Sequence, residues 1–341
     1  MSPLADRLAE LTGFRDRDVL DVTLVGALRD LLSPQSVAIH RCVGEPGNER
    51  WLTRARLGAD DVAATSDPAW LELESLPPLD TQPVRRDCLR LQEIVDVSQP
   101  HAHLTLFPLT SDREAVGVVE VETATPMSAD DRRLVCSILR IYRNFQGLLD
   151  YSERDTLTGL LNRKTFDESF LKSAAPLPQL ADHEGRRGQP TAHRHWLGVI
   201  DIDHFKQVND NFGHLIGDEV LLLLSRLMRS SFRFHDRLYR FGGEEFVVLM
   251  RCGAEDDALN AFERLRVATE RYVFPQVGRI SVSVGFTEVK GGYTPNGAFE
   301  RADKAVYYAK THGRNQVRSH SALVAAGELE DQSMKSDVEL F

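Results

Sequence analysis

The sequence predicts an α+β protein made of two domains and a long connecting helix. Its 341 residues are enough for two domains of ordinary size. Both halves alternate strand-like and helical segments, and a run between them places apolar residues at helical spacing. We therefore divide the chain into an N-terminal domain (1–127), a connecting helix (128–154), a C-terminal domain (155–320) and an acidic tail (321–341).

Charge and cysteine content exclude several classes of protein. A net charge of −10 argues against sequence-independent binding to nucleic acid or to an anionic membrane surface. The four cysteines are scattered without a CxxC pair, which predicts reduced thiols rather than a disulfide framework or a zinc site. The N-terminus lacks the apolar segment of a signal peptide, and no apolar run is long enough to span a bilayer. We therefore expect a soluble, cytoplasmic protein without membrane insertion.

The N-terminal domain is predicted to combine an amphipathic helix with a sheet. Residues 16–32 carry apolar side chains at helical spacing. Four segments have the composition and flanking turns typical of strands: 36–41, 51–57, 103–109 and 115–121. In the order and composition of their predicted helix and strands, residues 15–123 resemble a GAF-type sensor domain. A PAS domain or an unrelated α+β module is the alternative. The resemblance implies an unidentified small-molecule or protein signal and a role in forming a homodimer.

The connecting helix has a recognisable start. Ser128 precedes two aspartates, which suits a helix N-terminus because a hydroxyl caps the first amides and acidic side chains complement the helix dipole. Five apolar residues then recur at steps of four and three: Leu134, Ile138, Ile141, Phe145 and Leu148. This heptad-like repeat predicts a seam between two protomers. The alternative is a helix packed on its own domain.

Two acidic elements in the C-terminal half predict a site for a divalent cation. A buried strand, residues 196–200, leads directly into Asp201, and a helix start follows, a position typical of sites for a cation and phosphates. Further on, two glycines form a tight hairpin that carries Glu244 and Glu245. Adjacent carboxylates repel each other unless a cation or a proton lies between them. Either element alone is typical of an exposed turn, and together they predict a two-part metal site.

Four spaced motifs resemble those of the GGDEF family of diguanylate cyclases, in the family's order. Their patterns are DxLTGLxNR, DxDxFKxxND, GHxxGD and GG(D/E)EF, found here at residues 155–163, 201–210, 213–218 and 242–246. The resemblance covers about residues 155–316, nearly the whole C-terminal half. It implies a ferredoxin-like α+β core similar to the palm of adenylyl cyclases and polymerases.

By this resemblance, the activity is the condensation of two GTP into cyclic di-GMP with release of pyrophosphate. Mg²⁺, or Mn²⁺ in its place, is the implied cofactor. Its implied ligands are Asp201, the backbone carbonyl of Ile202, Glu244 and Glu245. The family's usual general base is Glu244, but a carboxylate that binds metal is a poor base, so Glu245 or a metal-bound hydroxyl is the alternative. Lys206 resembles the lysine that stabilises the transition state.

The GTP site is also implied residue by residue. Asn209 and Asp218 resemble the family's guanine readers, and an aspartate accepts from the N1–H and N2–H₂ edge that adenine lacks. The remaining residues assigned to GTP are Phe205, His214, Lys310 and Arg314. Backbone N–H groups of residues 203–205, at a helix start, are expected to cradle phosphates.

An inhibitory product site is implied upstream of the acidic hairpin. Arg233 and Asp236 match the family's RxxD site for cyclic di-GMP, and Arg264 is a candidate second arm. Arginine pairs bidentately with phosphate or with guanine O6/N7, and aspartate accepts from the guanine edge. A surface ion pair is the alternative interpretation of Arg233 and Asp236.

The two remaining segments are rich in polar or acidic residues. The polar stretch 173–195 is expected to be a loop with solvated histidines, and residues 321–341 to be disordered or weakly helical.

The competing function is a catalytically silent receptor for cyclic di-GMP. Because Glu244, Glu245, Asp201 and Lys206 are all present, we favour the enzyme. A cyclase that makes another nucleotide is disfavoured by the predicted guanine readers.

Overall fold

The computed structural model describes residues 3–13, 17–68, 71–111, 115–174 and 194–330. They divide into an N-terminal unit, residues 1–152, and a C-terminal unit, residues 153–341. Within the described ranges, no helix has both the length and the apolar character needed to cross a membrane.

The described part of the N-terminal unit consists of α-helices and β-strands joined by turns. Its helices are α1 (Pro3–Gly13), α2 (Arg17–Leu32), α3 (Pro83–Leu91) and α4 (Ala129–Glu153), the last of which reaches the unit boundary. Its strands are β1 (Ser36–Val43), β2 (Arg50–Gly58), β3 (Val95–Ser98), β4 (His103–Thr110) and β5 (Ala115–Thr123). The predicted helix and the four predicted strands are confirmed. Helices α1 and α3 and strand β3 were not predicted, although Pro83 at the first turn of α3 is a helix-start signal.

A five-stranded antiparallel sheet forms the middle layer of the N-terminal unit in the described residues. The strand order is β2-β1-β5-β4-β3. Strand residues alternate between its two faces, so Val37 and Ile39 contact a core shared with α2 and α4, whereas Trp51 packs with Cys88 of α3 and Leu106 in a second core. The GAF-type resemblance of this unit stays a prediction, with a PAS domain or an unrelated α+β module as the alternative.

Helix α4 packs against the sheet of its own unit. The predicted cap is confirmed, because the N–H of Asp131 donates to Ser128 Oγ at 3.1 Å. Ile138, which was predicted to face a second protomer, is 2% exposed and belongs to the unit's own core. Leu134 and Phe145 contact the same core, while Leu148 is 67% exposed. The predicted seam is therefore wrong for Ile138, because the heptad spacing also matches the stripe by which a helix packs on a sheet.

The C-terminal unit contains a larger sheet between two helical layers. Its strands are β6 (Leu161–Asn162), β7 (Arg194–Ile202), β8 (Arg237–Gly242), β9 (Glu245–Cys252), β10 (Val282–Val289) and β11 (Val317–Ser319). Its helices are α5 (Arg163–Ala174), α6 (Phe205–Phe212), α7 (His214–Ser231), α8 (Glu255–Arg271), α9 (Pro295–Thr311) and α10 (His320–Ala325).

The sheet of the C-terminal unit has a ferredoxin-like centre, as predicted. The described strands are ordered β11-β10-β7-β9-β8-β6. The four inner strands pair antiparallel with one another, whereas the edge strands β11 and β6 pair in parallel with β10 and β8. Helix α7 connects β7 to β8 and α8 connects β9 to β10, which gives the βαββαβ order of that fold. Along β9, Phe246 and Val248 contact the core under α7 and α8, while Val247 and Leu249 contact the core under α5 and α9.

Two predictions at the edges of this unit need correction. The tail predicted from residue 321 begins inside helix α10, where Leu323 is 6% exposed and packs on the unit; residues 331–341 lie outside the described residues. The predicted loop 173–195 overlaps the end of α5 and the start of β7. His195 lies in β7 and is half-buried rather than solvated, and this burial lowers its pKa. His183 and His193 lie outside the described residues.

Candidate active site

The hairpin between β8 and β9 brings the two acidic elements together. Gly242 and Gly243 have φ angles of 147° and 51°, in a region that side chains disfavour, so the predicted glycine turn is confirmed. Glu245, the first residue of β9, lies opposite Asp201 of β7 in the antiparallel register. The glutamates of the hairpin therefore lie at the end of the strand that carries Asp201.

Asp201 is a buried carboxylate with charges of both signs around it. It is 5% exposed, and burial raises its pKa to about 6; Lys310 opposes this rise, whereas Glu244 and Glu245 add to it. Burial also raises the pKa of Glu244, with Lys310 opposing the rise and Glu245 adding to it. The three carboxylates repel one another, and the ammonium group of Lys310 compensates part of that repulsion.

The two predicted triphosphate contacts lie at the C-terminal end of α9. Lys310, in the last turn, places Nζ 2.7 Å from Asp201 Oδ1. The chain then turns back, and the N–H of Arg314 donates to the carbonyl of Ala309 at 2.9 Å. Arg314 is exposed. The structure thus joins Lys310 to the acidic site and leaves the Arg314 side chain in solvent.

A magnesium ion fits the donor groups of this site. The described part of the chain holds no group of three or more His, Cys, Asp or Glu side chains suited to a metal. Mg²⁺ at nucleotide sites needs fewer, because one or two carboxylates hold it together with phosphates and water. The raised pKa of Asp201 means that added positive charge is favourable there. Asp201 and Glu244 would supply carboxylates, and Ile202, the last residue of β7, would supply its carbonyl.

An arginine that the sequence analysis missed fixes the hairpin. Nε and Nη2 of Arg240 donate to the carbonyl of Gly243 at 3.1 and 2.9 Å, and Nη1 donates to Asp155 at 3.0 Å. Burial alone would raise the pKa of Asp155, but hydrogen bonds from Thr158 and Arg240 lower it below its usual value. Asp155, from the first motif, therefore holds the hairpin of the fourth motif through Arg240.

The predicted guanine readers lie on a helical hairpin. Asn209 belongs to α6, and Asp218 belongs to the first turns of α7. Gly213, with φ of 83°, separates the two helices. A Cβ at Gly217 would lie 2.0 Å from Asn209 Oδ1, so the glycine allows the amide to approach α7. Asp218 is exposed.

The start of α6 differs from its prediction at one residue. The N–H of Asp203 donates to the carbonyl of Ser281 at 2.9 Å, so Asp203 does not contribute an amide to a phosphate cradle. Phe205 and Lys206 occupy the first turn of α6, where amides lack helical partners. Phe205 is 5% exposed, whereas Lys206 and His214 are exposed.

The predicted product site is a tight turn before β8. The N–H of Arg233 donates to Asp236 Oδ2 at 2.9 Å, and the N–H of Asp236 donates back to the Arg233 carbonyl at 3.0 Å. Burial raises the pKa of Asp236 to about 6, although the amide and charge of Arg233, the amide of Arg251 and the charge of Arg264 oppose it. Arg264 of α8 donates to the carbonyl of Ser231 at 2.9 and 2.6 Å, next to this turn.

Comparison with known proteins finds a family match within the C-terminal unit. Residues 152–316 match the family described as "Diguanylate cyclase, GGDEF domain". The chain is 39% identical to the diguanylate cyclase DgcP of Pseudomonas aeruginosa over 172 residues, which are 48% of this chain and 23% of that protein. It is 34% identical to the diguanylate cyclase DgcM of Escherichia coli K12 over 190 residues, which are 55% of this chain and 44% of that protein.

Solved structures also match this half of the chain. The GGDEF domain of DgcB from Caulobacter crescentus, in complex with c-di-GMP, is 31% identical with a TM-score of 0.44, and the match covers 50% of this chain and 96% of that one. The chain spans less than half the length of the two curated relatives described above.

Proposed function

We propose that the protein is a diguanylate cyclase that condenses two GTP into cyclic di-GMP, because residues 152–316 match the GGDEF family. In each half of the reaction, the 3′-hydroxyl of one GTP attacks the α-phosphorus of the other, and pyrophosphate leaves. The observation that carries the proposal is the contact of Lys310 with buried Asp201 beside Glu244 and Glu245. This is a charge arrangement suited to a cation and a triphosphate.

The residues at the acidic site would divide the chemistry among them. Mg²⁺, or Mn²⁺ in its place, neutralises the triphosphate when bound and stabilises charge that develops on the α-phosphate. Asp201, Glu244 and the Ile202 carbonyl would hold it. Lys310 and Arg314 bind the triphosphate, and Lys206 stabilises negative charge in the transition state. Glu244 and Glu245 are the two candidates for accepting the hydroxyl proton.

The helical hairpin of α6 and α7 would select guanine. Asp218 accepts from guanine N1–H and N2–H₂, and Asn209 offers both a donor and an acceptor. An adenine would leave this carboxylate without a donor, which is the physical basis for a preference for GTP. Phe205 and His214, at the starts of the same two helices, complete the proposed pocket.

Product inhibition is proposed at the turn of Arg233 and Asp236, with Arg264 as the second arm. Support comes from the nearness of two arginines to a buried aspartate, because arginines pair with phosphate while the aspartate accepts from guanine. Arg233→Ala should raise the cyclic di-GMP concentration that halves the rate. Unchanged inhibition would contradict the proposed site.

A homodimer regulated by the N-terminal unit is proposed because one site holds one GTP, so two sites must face each other. Helix α4 exposes Leu148 and Tyr151 at 67% and 78%, which are candidates for contacts between protomers. Leu148→Glu and Tyr151→Glu together should lower dimer content and activity in parallel. Ile138 is unsuitable for this test, because its removal would damage the core.

The direct test is the product made from GTP. Purified protein comprising residues 1–341 is incubated with GTP and Mg²⁺, and the product is identified by mass spectrometry. We expect cyclic di-GMP from the wild type, none above background from Glu244→Gln, and undiminished product from Glu300→Gln, an exposed carboxylate on α9 outside the site. Binding of cyclic di-GMP without any product from GTP would favour the silent receptor.

A further inference from the structure

The turn that follows α9 has an unusual backbone. Arg314 and Asn315 have φ angles of 58° and 45°, so two consecutive residues other than glycine are in the left-handed region. Side chains disfavour this region, and such residues persist where surrounding contacts hold them. The contacts that hold this turn are therefore expected to be specific.

The carboxylate of Asp203 holds the turn from one side. Asp203 is 4% exposed, and its Oδ2 accepts from the N–H of Asn315 at 3.0 Å and from Ser281 Oγ at 2.6 Å. Its Oδ1 accepts from Ser283 Oγ at 2.7 Å. Three neutral donors thus stabilise this buried charge. Because Asp203 lies two residues beyond Asp201, the turn is tied to the end of the strand that carries the acidic site.

The side chain of Asn315 holds the turn from the other side. Its Oδ1 accepts from Arg266 Nη1 at 2.9 Å, and its Nδ2 donates to Glu270 Oε1 at 2.7 Å. Both partners lie on α8. Arg266 also donates to Glu263 and Glu270 of the same helix, at 2.8 and 3.1 Å. The side-chain amide is thereby fixed between a donor and an acceptor of one rigid helix.

We infer that Asp203 and Asn315 are positioning residues, which hold the turn so that the Arg314 guanidinium is directed to the triphosphate of the nucleotide. The inference rests on the proposed function for the role of Arg314. Among the described residues, the Arg314 guanidinium makes no ion pair, so the turn that carries it determines its direction. Asp203, whose oxygens are engaged by these donors, is accordingly not a ligand of the cation.

The test is a double-mutant cycle on nucleotide binding. The ligand is 3′-deoxy-GTP, which lacks the attacking hydroxyl and therefore binds without reacting, and its affinity is measured by calorimetry at saturating Mg²⁺. Asn315→Ala keeps the N–H that bonds to Asp203 but removes both contacts to α8. We expect about tenfold weaker binding for Arg314→Ala and about fivefold for Asn315→Ala.

The double variant gives the decisive result. If Asn315 acts through Arg314, then Asn315→Ala in the Arg314→Ala background should change the affinity less than twofold. An unchanged fivefold loss in that background would overturn the inference. Asp203→Asn leaves one carbonyl oxygen for two donors. In the Arg314→Ala background, this substitution should likewise change the affinity less than twofold.

Two controls separate positioning from loss of fold and from failure of the proposed function. Glu263→Gln, which touches Arg266 but not Asn315, should bind within twofold of the wild type, and circular dichroism should confirm that every variant is folded. If the double-mutant cycle shows coupling but the wild type forms no cyclic di-GMP, the positioning role stands and the cyclase activity is contradicted. Product formation with an additive cycle would overturn the positioning role alone. A wild type that binds no triphosphate would overturn both.

Discussion

Each unit buries an aspartate among charged side chains, and the two aspartates differ in how far their neighbours compensate the negative charge. Asp21 of α2 is 2% exposed and accepts hydrogen bonds from Arg41 at 3.3 Å, from Arg54 at 3.4 Å and from the hydroxyl of Tyr142. Asp201 is 5% exposed, and its neighbours are Lys310 together with Glu244 and Glu245.

The difference separates a structural charge from a functional one. Two arginines face Asp21, so the network is closed and its role is to join α2, the sheet and α4. At Asp201 the acidic groups outnumber the lysine, and burial with like charges raises the pKa to about 6. Such a site gains by binding a cation. Loss of Asp21 should therefore affect stability, whereas loss of Asp201 should affect activity.

The largest expected effect is at Asp201. Asp201→Asn should lower the rate of cyclic di-GMP formation by about 10³-fold, because it removes a carboxylate that would hold the cation of the proposed reaction. Without Mg²⁺, stability should not fall, because the amide escapes the cost of burying a charge. Product assays and urea unfolding of the same preparation check both statements. A variant that lost stability but kept its rate would reverse the comparison.

The next effect is at Asp21. Asp21→Ala should destabilise the N-terminal unit by about 3 kcal/mol, because it leaves Arg41 buried without its carboxylate. Tyr142→Phe keeps every charge and should cost about 1 kcal/mol. Hydrogen exchange of α2 and α4 amides measures both. Equal protection in Asp21→Ala and the wild type would mean that the closed network has no structural role.

Asp236 is a third buried aspartate, and its raised pKa should make the stability of the fold depend on pH. An aspartate whose pKa is raised in the folded state, here to about 6, stabilises the fold below its unfolded pKa of about 4, and this stabilisation is lost as the pH rises through 6. Asp236→Asn does not titrate, so the wild type should lose about 2 kcal/mol relative to it between pH 4 and pH 7. Urea unfolding at several pH values measures the difference. A constant difference would contradict the raised pKa.

The smallest effect is expected at Arg240. Arg240→Lys keeps the charge but cannot donate from a planar fork to Gly243 and Asp155 together. The hairpin should lose part of its fixed geometry, and the rate should fall about tenfold, with little change in melting temperature. Steady-state assays beside thermal melts check this. A full rate in Arg240→Lys would show that the charge alone suffices.

Local sequence patterns predicted the parts that depend on neighbouring residues. The cap at Ser128, the glycine hairpin before Glu244 and the strand leading to Asp201 follow from short-range chemistry, and all are present in the structure. Ile138 was misassigned because periodicity identifies an apolar stripe but not the surface that covers it.

Contacts between distant residues were not predictable in this way. The bond from Arg240 to Asp155 joins residues 85 apart, and the bond from Asn315 to Asp203 joins residues 112 apart. Each pair becomes adjacent only when the sheet has formed. Asp203 illustrates the limit, because its sequence position beside Asp201 favours ligand binding while its buried hydrogen bonds make it structural.

Binding of 3′-deoxy-GTP with Mg²⁺ tests the central claim, that Asp201 and the hairpin glutamates form a cation and triphosphate site. Calorimetry on the wild type, Asp201→Asn, Glu244→Gln and the exposed control Glu300→Gln gives the result directly. We predict Mg²⁺-dependent binding by the wild type and the control, and at least about 100-fold weaker binding by the two site variants. Equal, metal-independent affinity in all four proteins would contradict the account.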